Sequence, residues 1–195
     1  MTRSLGFLIA LAGIGAIGAA CPAGAAAGGG SAYVDQIGDG HVARIVQSGG
    51  QAVAEIRQEG DRNEANVTQA GAAHATLHQA GTLNRAEANQ SGSAVLLLSQ
   101  SGIANVARAS QTAGDAASYA AMRQTGSGNA MTLAQNGAAN QATLSQAGDG
   151  NAMTATQNGA GNMLVWNQIG SNLADLGIVQ SGQQQMTVTQ TAAGR

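Results

Sequence analysis

The chain has 195 residues, a formal net charge of −2, 9% charged residues and 2% aromatic ones. Globular domains carry roughly 25% charged residues and fill their interiors with large side chains at close-packed density, so a conventional three-dimensional core is excluded and the interior must be thin. Acids and bases are dispersed along the chain, which argues against a nucleic-acid footprint or a basic membrane patch.

The first element is segment 1–27. Arg3 precedes an apolar run from Leu5 to Ile17, and Ala23-Gly24-Ala25 or Ala25-Ala26-Ala27 suits cleavage, the pattern of a secretory signal peptide. The run is too short for a bilayer-spanning helix, which needs about 20 residues. Cys21, the single cysteine, precedes both cleavage sites, so the mature chain is expected to hold neither thiol nor disulfide. The alternative is a lipoprotein signal acylated at Cys21, against which Gly18 stands where leucine is usual. Residues 28–35 read as a lead-in, 36–190 as a repeat region and 191–195 as a tail. The tail, TAAGR, offers no obvious capping element.

The repeat region is marked by glutamine. Gln36, Gln47, Gln58, Gln69, Gln79, Gln90, Gln100, Gln111, Gln124, Gln135, Gln146, Gln157, Gln168, Gln180 and Gln190 follow one another at steps of 10 to 13 residues, most often 11. Glycine stands two residues behind all but Gln111 and Gln190, at Gly38, Gly49, Gly60, Gly71, Gly81, Gly92, Gly102, Gly126, Gly137, Gly148, Gly159, Gly170 and Gly182. An 11-residue period also suits a right-handed helical coiled coil. The glycines decide against it, because each costs a helix interior about 1 kcal/mol relative to alanine.

Strand periodicity fits instead. Four residues before each glutamine the residue is always apolar, from Ala32 and Ala43 through Leu96 and Met131 to Leu176 and Met186. Two before, it is apolar again, from Val34 and Ile45 to Trp166, Ile178 and Val188. Six before, it is small or amide-bearing, with asparagine at Asn63, Asn84, Asn105, Asn129, Asn140, Asn151 and Asn162. The charged residues Arg44, Glu55, Arg57, Glu64, Arg85, Glu87, Arg108, Arg123 and Asp175 occupy the intervening positions. Successive strand side chains point to opposite faces, so this alternation predicts an inward face free of charge.

The unit is thus a seven-residue strand, Asn-x-Ala-x-apolar-x-Gln, and a turn of about four residues, x-Gly-x-x, with glycine where a tight turn needs positive φ. Two units make a coil of 22, and about seven such coils are predicted to stack as an all-β, two-sheeted, flattened β-solenoid of cross-β type. Parallel in-register stacking puts the glutamines in two columns. There each amide donates to one neighbour and accepts from the other, while an amide buried without that partner would cost about 1–3 kcal/mol. On the outer faces Glu64 is expected to lie against Arg85 and Glu87 against Arg108.

Candidates for other chemistry are few. His74 and His78 would share a metal on a helix, but on a strand four residues separate them by roughly 13 Å. The Gly38-Asp39-Gly40 and Gly148-Asp149-Gly150 turns lack the nine-residue repeat of calcium-binding β-rolls. Thr132, Thr143 and Thr154 point outward, but strands 11 residues apart fall on opposite sheets, so no single threonine array results. No nucleophile–base pair, paired carboxylate or phosphate loop stands out, and neither enzyme activity, cofactor, metal, nucleic acid nor small-molecule substrate is expected.

The motif Gln-x-Gly-x-x-Asn-x-Ala-x-x-x-Gln, at Gln58 to Gln69 and Gln135 to Gln146, and with Met for Ala at Gln124 to Gln135 and Gln146 to Gln157, resembles the curlin repeat of bacterial curli subunits. It departs from the family pattern where Ala52, Ala73 and Ala94 replace a serine that Ser118 alone keeps. The resemblance implies a secreted subunit, major or minor, of an extracellular amyloid fibre for adhesion and biofilm matrix. It also implies an outer-membrane secretion pore, accessory factors and other curlin-type subunits as partners. A monomeric β-solenoid adhesin or binding module is the alternative.

Overall fold

The computed structural model describes residues 7–12 and 29–192. Most of the segment read as a signal peptide, Cys21 included, and the last three residues of the tail lie outside the described residues.

The chain winds between two parallel sheets. One holds β3 (Val42–Ser48), β5 (Glu64–Ala70), β7 (Arg85–Ser91), β9 (Val106–Thr112), β11 (Ala130–Asn136), β13 (Ala152–Asn158) and β15 (Ile178–Ser181). The other holds β2 (Ser31–Asp39), β4 (Val53–Asp61), β6 (His74–Thr82), β8 (Ala94–Ile103), β10 (Ser118–Ser127), β12 (Gln141–Ala147), β14 (Met163–Ile169) and β16 (Gln185–Thr191). Each strand crosses to the other sheet before its successor stacks on it. Glutamine therefore pairs with glutamine along both sheets, for example Gln58 with Gln79 and Gln69 with Gln90. The molecule is an all-β, two-sheeted solenoid of about seven coils.

The interior follows the alternation. Ala43, Ile45, Ala54, Ile56, Leu77, Leu96, Met131, Leu144 and Trp166 pack in one continuous apolar layer. No Asp, Glu, Lys or Arg is buried among the described residues. Outside, Arg85 approaches Glu64 at 3.7 Å and Arg108 approaches Glu87 at 3.7 Å, the pairs expected from the sequence.

Turn chemistry is set by backbone shape. All thirteen glycines behind the glutamines have positive φ, from 68° to 126°. At Gly60 a β-carbon would run into the carbonyl of Gly81 on the next coil, so stacking, as well as φ, demands glycine there. A second left-handed residue follows two places later. It is glycine at Gly40, Gly128, Gly150 and Gly161 and a side-chain-bearing residue at Gln51, Arg62, Leu83, Ala104, Ala139 and Asn172, while the turns after Gly71, Gly92 and Gly182 lack it.

Three features differ from the sequence reading. Leu176 is 53% exposed rather than inward: residues 173–177 leave the strand, β15 shortens to four residues, and the extra length of this coil is taken from the strand as well as the turn. The position six before glutamine is not always small or amide-bearing, because His41 fills it on the first coil and is 1% exposed. Finally, β1 (Phe7–Ala12) lies antiparallel to β3, opposite Val42 to Gln47, while β2 already begins at Ser31, inside the segment read as lead-in.

Candidate functional site

The candidate site is a line of side chains rather than a pocket. Its first component is the pair of glutamine columns. On the β2 side, Gln36 donates to Gln58, and the chain continues through Gln79, Gln100, Gln124, Gln146 and Gln168 to Gln190, each Nε2 reaching the next Oε1 at 2.7–2.9 Å. On the β3 side, Gln47, Gln69, Gln90, Gln111, Gln135, Gln157 and Gln180 join in the same way at 2.7–3.0 Å.

Each amide also spans the thin core. Gln58 Nε2 donates to Val42 O at 3.2 Å, Gln69 Nε2 to Val53 O at 2.9 Å and Gln146 Nε2 to Ala130 O at 3.1 Å. Those carbonyls belong to the first residues of strands in the opposite sheet. Glutamine therefore supplies contacts along the stack and between its two sheets, and the sheet-to-sheet bond was not read from the sequence.

The second component lies at the turns. Asn63 Oδ1 accepts from the backbone N–H and the Nδ2 of Asn84 at 3.0 and 3.1 Å. The same double contact joins Asn84 to Asn105 and Asn105 to Asn129, and the backbone N–H of Asn151 continues the line to Asn129 Oδ1 at 3.0 Å. In the other arc, Asn162 contacts Asn140 Oδ1 through both donors, and Asn140 N–H reaches Ser118 Oγ. From asparagine to asparagine the donors point back toward the first coil, whereas from glutamine to glutamine they point toward the last; asparagine Nδ2 groups also donate forward to a glycine carbonyl, as Asn63 does to Gly81 O. The two kinds of ladder run in opposite polarity.

The ends complete the geometry. Gln36 Oε1, in a side chain 9% exposed, is the one buried side-chain polar atom without a partner among the described residues. At the far end Gln190 Oε1 accepts from Gln168 Nε2 and from Trp166 Nε1, at 2.8 and 2.9 Å, and Gln190 Nε2 donates only to Ala174 O. One end lacks a donor for its ladder; the other has a donor with no amide beyond it.

Beside this second end, Asp175 Oδ1 accepts from the backbone N–H groups of Thr154 and Gly177, both at 2.9 Å. Burial alone would raise its pKa, but hydrogen bonds from Thr154 and Gly177 outweigh it and hold the carboxyl below the usual 3.8. His74 and His78 stand on strand β6, exposed and half-buried. Thr132 stacks on Thr154 in one sheet while Thr143 lies in the other.

The family model described as curlin associated repeat matches residues 43–71. No curated protein and no solved structure matches the chain. The matched stretch includes Gln47, Gln58, Gln69, Gly49, Gly60 and Asn63, whose ladders and turns continue through the later coils. Residues 43–71 are thus similar to a curlin associated repeat.

Proposed function

We propose that the chain is a secreted structural subunit of a curli-like extracellular amyloid fibre, serving cell adhesion and biofilm matrix. It grows by end-on, head-to-tail addition of copies. The observation that carries this reading is the mismatch at the ladder ends. The buried acceptor Gln36 Oε1 needs a donor, and Gln190 Nε2 is the donor that a second copy would bring if its β16 stacked in register on β2. Leaving a buried acceptor unpaired costs about 1–3 kcal/mol, and open sheet edges are templates for further strands. A head-to-head junction would oppose two acceptors, so only the polar arrangement continues the ladder.

The leader at 1–27 fits export. An outer-membrane pore, accessory factors and other curlin-type subunits are the partners that the family implies. The ladder glutamines and asparagines are the assembly residues in this reading, and the role is structural rather than catalytic.

One observation favours the alternative of a monomeric β-solenoid adhesin. With β15 only four residues long and Asp175 occupying the N–H of Thr154, the last coil is partly blunted against addition. The two readings part in one experiment. The chain freed of its leader is purified, incubated, and followed by electron microscopy and fibre diffraction. Fibres with reflections near about 4.8 and 10 Å support the subunit; a soluble monomer persisting for days supports the adhesin and overturns the proposal.

A further inference from the structure

The asparagine column that starts at Asn63 is continued, one coil earlier, by a histidine. His41 Nδ1 accepts the backbone N–H of Asn63 at 3.2 Å, as Asn63 Oδ1 accepts that of Asn84 at 3.0 Å. His41 Nε2 lies 3.1 Å from Ile37 O, as Asn63 Nδ2 lies 3.0 Å from Glu59 O, also four residues back. A backbone N–H can only donate, so Nδ1 must be bare and Nε2 must carry the hydrogen. The neutral ring in that tautomer reproduces these two of an asparagine's contacts; the imidazolium ring cannot, because an Nδ1–H would face the N–H of Asn63.

We infer that His41 is a pH-sensitive latch on the first coil, closed when neutral and released when protonated. Among the described residues the ring is buried and has no ion-pair partner. It is 1% exposed, and the four ion pairs among the described residues do not include it. The charged side chains on the turns around it are Asp39 on its own coil and Glu59, Asp61 and Arg62 on the next, all at least partly exposed. Arg44 lies on the outward face of β3, and β1, paired along that strand, carries no titratable residue. The neighbouring coils need only asparagine at this position and have no corresponding proton site.

The sign follows from which form the fold accepts. The hydrogen bonds at the ring accept only its neutral form, so the folded first coil excludes a proton that the unfolded one can take, and its stability falls as the surroundings become acid. The effect stays local because each coil contacts only its neighbours and terminal units open independently of the centre. Where the fibre reading above holds, the consequence reaches assembly: Gln36, the unfilled acceptor, sits on this same coil, and its release slows addition at that end in mildly acid surroundings.

The test is hydrogen exchange on the full chain without its leader, between pH 8 and pH 5, normalised to the intrinsic rate at each pH. Peptides covering Ser31 to Ser48 should lose protection at pH 5 relative to pH 8. Those covering β10 to β13 should not change. His41→Asn should abolish the response, while the double variant His74→Asn, His78→Asn should keep it. A flat wild-type profile, or an equal loss in His41→Asn, overturns the inference. Independently, ¹⁵N shifts of the imidazole at pH 8 should report the Nε2–H tautomer; the Nδ1–H form would refute it without any variant. Neither measurement needs fibres. In a second arm, seeded elongation should slow at pH 5 in the wild type and not in His41→Asn. If the chain never forms fibres, the assembly reading fails while the exchange result still decides the latch.

Discussion

Replacing Gln100 by leucine tests the energetics of the interior ladder. Gln100 Nε2 donates to Gln124 Oε1 at 2.9 Å and to Arg85 O at 3.0 Å, and its Oε1 accepts from Gln79 Nε2 at 2.8 Å. Gln100 Nε2 also reaches Asn105 O at 3.0 Å, but that carbonyl keeps the N–H of Arg85, so leucine leaves three buried groups short of a partner: Gln124 Oε1, one N–H of Gln79 and the Arg85 carbonyl. At about 1–3 kcal/mol for each orphan, offset by about 1.5–3 kcal/mol from burying an apolar side chain, the net loss is about 3–4 kcal/mol. Gln190→Leu removes an acceptor from the buried Trp166 Nε1 and Gln168 Nε2, but Gln168 Nε2 keeps Ala152 O and Ala174 O, so with one orphan in place of three the substitution should cost about 1–2 kcal/mol. The assay is guanidinium unfolding at low protein concentration followed by circular dichroism, with native-state hydrogen exchange locating the weakened coils. Equal unfolding midpoints for the two variants would refute the reasoning, since burial of the amide would then carry no weight.

Three further outcomes follow from other parts of the coil. Leu83 holds φ of 61°, a conformation that costs a side-chain-bearing residue about 1–2 kcal/mol, so Leu83→Gly should leave stability unchanged or raise it by up to about 1 kcal/mol after the entropy of glycine is counted; a lower unfolding midpoint contradicts this. The depressed pKa of Asp175 stabilises the last coil above the unfolded carboxyl value of about 3.9, and that contribution disappears as pH falls through the lower folded value. Exchange protection at Thr154 should therefore drop below about pH 4 and the drop should vanish in Asp175→Asn. Between Gln124 and Gln168 the outward strand positions carry no charge, and charges at such positions act as gatekeepers against aggregation; a peptide from Ala120 to Gln168 should therefore show a shorter thioflavin lag than one from Ser31 to Gln79.

Much of the fold was legible because two signals are local. A period of two separates Ile56 and Gln58 from Glu55 and Arg57 whatever the rest of the chain does, and Gly60 or Gly81 marks a turn through φ alone. What escaped has no residue-type signature. The left-handed position held by Leu83 and Ala104 is imposed by the turn on whatever side chain is there. The excursion at 173–177 was hidden because counting back from Gln180 assumes a full strand, and Leu176 is as apolar as an inward residue would be. His41 departs once from a column of asparagines, and only the coordinates show that its ring nitrogens stand where the oxygen and nitrogen of an asparagine amide would be. The bond from Gln58 to Val42 O needs the spacing of the two sheets, which no sequence period contains.

The two amide types are not interchangeable, and their lengths explain the division. Glutamine, at the end of the strand, is long enough to contact its own column and still reach a carbonyl of the facing sheet, as Gln146 does at Ala130 O. Asparagine, at the turn, is one methylene shorter and stays within the arc, closing on a carbonyl four residues back and a glycine carbonyl one coil on, as Asn105 does at Ser101 O and Gly126 O. The glutamine ladders donate toward the last coil and the asparagine ladders toward the first, so a stack built from both has direction in each of its hydrogen-bond lines. A copy added upside down would meet the wrong partner in the glutamine and asparagine columns alike. In the proposed assembly, direction would thus originate in the side chains of a single coil, repeated coil by coil to the ends where Gln36 and Gln190 stand.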